Sequence, residues 1–254
     1  MSVIMLYPLL VGLSSSLSSR YLYLSPILRI EDPSLKHYTN IWPLFRKYMF
    51  NSLFVASSVA IAGTFLNSMA AYGLSKTRFW GRNSLFLCIL STMIIPVPVT
   101  ITPLYVFMSK INWINTYQCL ILPDVADAFS IFLLIQFFKS IPNELLDSGR
   151  VDGCSHFRMY WNIILPISGP ALCAVALIKF MTNYNSLIWP YITITSDSLR
   201  TLPVAIMTYT STPSGVSPAD LIAGSLLSAV PMILLFLFLQ RYFIAGIQTT
   251  GIKA

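Results

Sequence analysis

Charge is what this sequence has least of. Only 10% of its 254 residues are Asp, Glu, Lys or Arg, while 56% are apolar and the mean hydropathy is +0.71. A soluble domain carries about 25% charged residues, so an ordinary water-soluble fold is excluded and an integral membrane protein is expected. The 16 Lys and Arg against 9 Asp and Glu leave a scattered net charge of +7, without the basic patch that nucleic acid requires. No G-x-x-x-x-G-K-[ST] loop is present to cradle phosphates, so nucleotide chemistry belongs to another chain. Cys88, Cys119, Cys154 and Cys173 form no C-x-x-C and have no His cluster beside them, which argues against zinc or dithiol chemistry. No metal ligand, cofactor or catalytic residue is expected. No internal repeat is visible either, and an inverted-repeat carrier lacks that support.

What is present is a series of long uncharged runs, each to be compared with the roughly 20 residues that cross a hydrocarbon core. Residues 2–17 are apolar but short of that length and lack a basic leader, so they do not read as a signal peptide. Either the sequence begins inside its first helix or that helix is short. Residues 18–47 are mixed, are broken by Pro26 and Pro33, and end at a water boundary marked by Arg46 and Lys47. Residues 48–75 predict a second helix, whose Ala56, Ser57, Ala60, Gly63, Ser68, Ala70 and Ala71 allow close backbone approach. Lys76, Arg78 and Arg82 make a compact basic turn that marks the cytoplasmic side.

A third helix over 83–109 contains Pro96, Pro98 and Pro103, which bend or break it. In a membrane such breaks survive only where neighbours or water satisfy the freed carbonyls, so this helix is expected to line something. A fourth helix ends at Phe138, a fifth covers 166–189 and a sixth 221–240. A polar outer stretch, 190–220, and a short inner tail complete the topology. Basic residues divide almost evenly between its two sides.

Segment 143–166, NELLDSGRVDGCSHFRMYWNIILP, is a charged island between apolar blocks. A central charge costs about 2.5 to 3.5 kcal/mol on insertion scales, so the island faces water. Pro142 suits a first helical turn, Glu144 and Asp147 complement the positive end of the helix dipole, and Gly153 can take the left-handed conformation that ends a helix. Ser155 is then a fair N-cap for a second helix, which Pro166 stops. A helix over 143–152 is about 15 Å long, too short to span a bilayer and well sized to dock in a cleft.

The pattern Asp147-Ser148-Gly149, three residues, Gly153, nine residues, Ile163-Ile164-Leu165-Pro166 resembles the signature loop of binding-protein-dependent ABC transporter permeases, which reads E-A-A, three residues, G, nine residues, I-x-L-P. The departures are at its head, where Asp147, Ser148 and Gly149 replace Glu and two Ala. Gly149 lowers helix propensity by roughly 1 kcal/mol, from which weaker docking is expected. Ala70-Ala71-Tyr72-Gly73-Leu74, Thr102-Pro103-Leu104-Tyr105, the 136–142 segment, Thr201-Leu202-Pro203 and Gln240-Arg241-Tyr242-Phe243 resemble the carbohydrate-uptake subfamily, and within it the shorter permease of a maltose-type pair.

The resemblance implies an all-α membrane protein of about six transmembrane helices with the type I importer fold, a single permease domain over 1–254. Within it 143–166 is the cytoplasmic loop that meets an ATPase through Glu144, Asp147, Ser148, Gly149, Asp152 and Gly153. It implies four further partners, a second permease subunit, two ATP-binding subunits and an extracytoplasmic solute-binding protein, in a multi-pass arrangement in the plasma or inner membrane. The cargo it implies is a sugar or oligosaccharide, with glycerol-phosphate or another polar solute as the alternative. In the tail, Gln248, Gly251 and Lys253 resemble an ending that reaches between ATPase subunits.

Asp124 and Asp127, three residues apart on one predicted helix face, and Lys179, Asn183 and Asn185 in the outer half of the fifth helix are candidates for the translocation pathway. Against that role, the two carboxylates could simply reach water or pair with Lys179, and helix-to-helix bonding with an interfacial belt at Trp189 is the simpler account of the latter group. An ion-coupled secondary carrier using Asp124, Asp127 and Lys179 is the rival from another class. It leaves the spacing of 143–166 unexplained.

Overall fold

The computed structural model describes residues 2–18, 32–211 and 215–250. In chain order the helices are α1 (Ser2–Leu17), α2 (Lys36–Lys76), α3 (Arg82–Ser91), α4 (Val97–Lys110), α5 (Tyr117–Val125), α6 (Ala128–Ser140), α7 (Glu144–Val151), α8 (His156–Met159), α9 (Leu165–Ile167), α10 (Gly169–Tyr184), α11 (Ile188–Thr193), α12 (Leu202–Ser211) and α13 (Pro218–Thr250). A 3-10 turn, Thr92–Ile94, follows α3, and a π-helical turn, Tyr160–Ile164, joins α8 to α9. Among the described residues the β pairing is confined to an isolated bridge between Ser18 and Pro33.

Among the described residues three helical stretches are long and apolar enough to cross a membrane: Lys36–Lys76, Tyr117–Ser140 and Pro218–Phe238. Two bent pairs, Arg82–Ile94 with Val97–Lys110 and His156–Ile167 with Gly169–Tyr184, raise the number to five, and α1 adds a shorter apolar helix. Their apolar side chains remain exposed in quantity, among them Phe50, Ile61, Ile94, Val97 and Phe238, as expected of surfaces that face lipid or another subunit.

Several element boundaries differ from the sequence expectation. Helix α2 starts well before Tyr48, because Arg46 and Lys47 do not end it: Lys47 Nζ bonds Asp197 Oδ2 at 2.6 Å. The prolines do break the third span, which turns through 103° between the 3-10 turn and α4. The fourth span is interrupted at Ala126 and Asp127, and the fifth ends at Tyr184 before resuming as α11. Pro166 does not stop its helix. The π turn lets the Leu165 amide bond Tyr160 O, one residue further back than in an α-helix, and Pro166 then sits in the first turn of α9, where no N–H is missed. The last helix continues past Gln240 to Thr250.

The chain divides into two units. One comprises the described parts of Met1–Phe54 and Asn185–Leu234. Here Ile41, Phe45 and Tyr48 on the early turns of α2 are buried, and Gly224 leaves room for the Phe45 ring, which a Cβ at that position would strike. His37 is held between Asp220 Oδ1 at 2.7 Å and Ser18 O at 3.1 Å. Asp197 accepts from Lys47 and from Tyr48 Oη at 2.7 Å, and pairs with Arg200 at 3.0 Å.

The second unit comprises Val55–Tyr184 with the end of α13. Its apolar core gathers Ala71, Tyr72 and Leu74 of α2, Ile131, Leu134, Ile135 and Phe138 of α6, Leu146 of α7, and Met159, Tyr160 and Ile164. The charged island is therefore anchored from below by its own apolar residues.

Candidate functional site

Segment 143–166 forms the helix and glycine corner expected of it, although Pro142 lies before the helix and not in its first turn. Helix α7 presents Glu144, Asp147, Ser148, Val151 and Asp152 to solvent, while Leu146 is buried. Its end is a Schellman motif: the Gly153 amide bonds Arg150 O at 3.0 Å and the Cys154 amide bonds Gly149 O at 2.9 Å, with Gly153 at φ +74. A left-handed residue here costs about 1 to 2 kcal/mol for any side chain beyond glycine. Ser155 caps α8 by accepting from the Arg158 amide at 3.3 Å. Asp147 pairs with Arg150 at 2.6 Å on the open face.

Gly149 is placed differently from the expectation. It is buried, and a Cβ there would lie 3.0 Å from Ile163 Cδ1 and 3.4 Å from Met159 Cγ. Its role is to let α7 settle onto the following helix, so it supports the exposed acidic face and is not part of it.

Sequence reasoning treated Lys76 only as a topology marker. The structure buries it at the end of α2, where Nζ donates to Ile141 O at 2.6 Å and to Asn143 Oδ1 at 3.0 Å, on the joint between α6 and α7. Tyr72 Oη lies 3.4 Å from His156 Nδ1, and Tyr160 Oη lies 2.7 Å from Ser68 Oγ. The available signal was the four-residue spacing of Ser68, Tyr72 and Lys76 at the end of an otherwise uncharged run.

The intramembrane candidates separate. Asp127 is the N-cap of α6, accepting from the Ser130 amide at 2.7 Å, and so does not share a helix face with Asp124, the expectation from their spacing. Its second oxygen meets Lys179 Nζ at 2.5 Å and Asn67 Nδ2 at 3.1 Å. Lys179, 5% exposed, also donates to Asp124 O at 2.8 Å, and Asn67 to Val125 O at 3.2 Å. These are the carbonyls released by the break between α5 and α6, so the cluster satisfies the backbone of a discontinuous apolar span. Gly63 makes the approach feasible, since a Cβ there would lie 2.6 Å from Lys179 Cε and 2.7 Å from Val125 O. Asn183 folds back onto Lys179 O at 3.1 Å, and Asn185 lies beyond α10 in the other unit. In the tail, Gln248 falls on the backbone of α13, whereas Gly251 and Lys253 lie outside the described residues.

Apolar spans, two of them sharply bent, with an acidic helix exposed between α6 and α8, define a multi-span membrane protein. The profile of the family described as "Binding-protein-dependent transport system inner membrane component" matches residues 63–249. The arabinooligosaccharides transport system permease protein AraQ of Halalkalibacterium halodurans is 34% identical, over 98% of this chain and 92% of its own. The trehalose/maltose transport system permease protein MalG of Thermococcus litoralis is 28% identical over 100% and 93%, and the sn-glycerol-3-phosphate transport system permease protein UgpE of Yersinia enterocolitica is 31% identical over 96% and 91%. A chain of a bacterial ABC transporter that imports the acidic polysaccharide alginate superposes with a TM-score of 0.86 at 20% identity, over 95% of this chain and 92% of its own. The chain belongs to the binding-protein-dependent transport system inner membrane component family, and its fold is that of a type I ABC importer permease.

Proposed function

We propose that this permease subunit imports a sugar or oligosaccharide across the cell membrane. It pairs with a second permease, receives solute from an extracytoplasmic binding protein and is driven by two ATP-binding subunits. The observation that supports this reading best is α7: its acidic face is exposed, its C-terminal end is closed at Gly153, and its Leu146 is fixed in the apolar core. Glu144, Asp147, Ser148 and Asp152 form the docking surface, Gly149 and Gly153 hold it in shape, and Val151, 87% exposed, supplies an apolar anchor at its tip. ATP binding in the partner would move this surface and rock the permease between inward-facing and outward-facing states. The chain itself hydrolyses nothing.

The sugar cargo rests on the relatives named for arabinooligosaccharides and for trehalose and maltose; the relative named for sn-glycerol-3-phosphate is the reason to keep a second solute in the assay. Of the pathway candidates, Asp124 is retained as a solute-facing group, while Asp127 and Lys179 serve the helix break. That structural employment also weakens the ion-coupled alternative. In the tail, Gln248, Gly251 and Lys253 modulate ATP hydrolysis, and removal of 251–254 should alter its stimulation without altering membrane insertion.

Replacement of Gly153 tests the docking reading. A Cβ at this position meets no neighbour within 4 Å, and Gly153→Val imposes backbone strain at φ +74. The variant should insert and pair normally while solute-stimulated ATP hydrolysis in proteoliposomes falls. Unchanged stimulation would remove α7 as the docking element.

A further inference from the structure

The cytoplasmic end of α2 carries three polar side chains that the transport cycle as described does not use. Ser68, Tyr72 and Lys76 recur every four residues and so share one face of the helix. Each engages a different part of 143–166 or its boundary. Lys76 holds Ile141 O, at the end of α6, and Asn143, the residue that begins α7. Tyr72 reaches His156, the first residue of α8, and its ring lies 5.4 Å from that of Tyr160. Ser68 donates to Phe65 O at 2.7 Å, which leaves its oxygen to accept the Tyr160 hydroxyl. The row therefore grips α7 from both sides, before its first turn and beyond its Gly153 corner.

Apolar contact alone, such as Leu146 against the core, is non-directional and lets one helix slide over another. Hydrogen bonds at both ends fix register, and a buried ammonium or hydroxyl that loses its acceptors incurs a desolvation penalty with no return. We infer that Ser68, Tyr72 and Lys76 are positioning residues that carry displacement of α7 into α2, a membrane helix not joined to the loop along the chain. This rests on the reading of α7 as the docking element for an ATP-binding subunit.

The test uses the complete transporter, permease pair and ATP-binding subunits together, with a non-hydrolysable ATP analogue as probe and amide hydrogen exchange as readout. In the wild type the analogue should change exchange in both 143–156 and 72–82. In Tyr72→Phe/Lys76→Met the change in 143–156 should persist, while that in 72–82 shrinks by about threefold or more, the scale of effect a residue in a coupling network exerts. Lys76→Arg, which keeps the donors, should restore most of it. Should the double variant be lost from the membrane, Tyr72→Phe and Ser68→Ala each remove one bond to segment 143–166, and each should weaken the response of 72–82 alone. An undiminished response of 72–82 in every variant overturns the inference, as does its disappearance together with that of 143–156 while the ATP-binding subunits stay bound. Failure of the docking reading looks different: the subunits then co-purify with the wild type without protecting 143–156 at all.

Discussion

Lys179 shows how one residue can look like a pathway group and be a brace. Its ammonium is shared between the Asp127 carboxylate and the Asp124 carbonyl, and Asn67 covers the carbonyl of Val125. Removing the Lys179 ammonium uncovers the buried Asp124 carbonyl and takes one partner from Asp127, which is 35% exposed and keeps the Ser130 amide and Asn67, at about 1 to 3 kcal/mol. Lys179→Met should therefore lower stability in denaturant titrations of the detergent-solubilised protein, and Lys179→Met/Asp127→Asn should recover part of the loss. Gly63→Ala should be destabilising by about 1 to 3 kcal/mol, because the carbonyl of Val125 is backbone and cannot swing aside. A transport defect in either variant at full stability would return the pair to the pathway.

At the scale of the element, the clearest case is the joint that Asp197 makes between α2 and the segment before α12. Hydrogen bonds from Lys47 and then Tyr48 hold its carboxyl below the usual carboxylate range. A depressed carboxylate contributes stability that is present above its unfolded value, about 3.9, and is lost as pH falls through the lower folded value. The side chain is half exposed, so solvent screens the effect and the contribution is small. The melting temperature of the solubilised protein should fall on acidification below about pH 4, and Asp197→Asn should flatten that dependence. An equally steep fall in Asp197→Asn would assign the acid sensitivity elsewhere.

Element by element, the sequence was legible where a local signal has one meaning. Gly153 as a left-handed end, Ser155 as a cap and the prolines of the third span all sit where their chemistry places them. It misled where a tertiary partner reverses the local meaning. Arg46 and Lys47 are exposed as a water boundary should be, yet the helix runs through them from Lys36, and Asp127 reads as one more turn of an amphipathic face until its oxygen is seen capping Ser130. Gly149 reads as a poor helix former, and only Ile163 and Met159 explain why a larger residue is unwelcome. The burial of Lys76 was hidden for the same reason, since its acceptors lie far away in the chain.

On the scale of the whole molecule, docking of an ATP-binding subunit requires segment 143–166 to lie on the side of the membrane where ATP is. With Cys88, Cys119 and Cys173 replaced by Ser, an impermeant thiol reagent should leave Cys154 unmodified in intact cells and label it in inverted vesicles. The central claim, that α7 is where an ATP-binding subunit docks, is tested most directly by cross-linking from its exposed tip. Val151→Cys, in that same background with Cys154 also replaced by Ser, should join to an ATP-binding subunit on addition of a short bifunctional thiol reagent to the assembled transporter. Cross-linking to the extracytoplasmic binding protein, or to no subunit while the transporter remains assembled, would contradict the account.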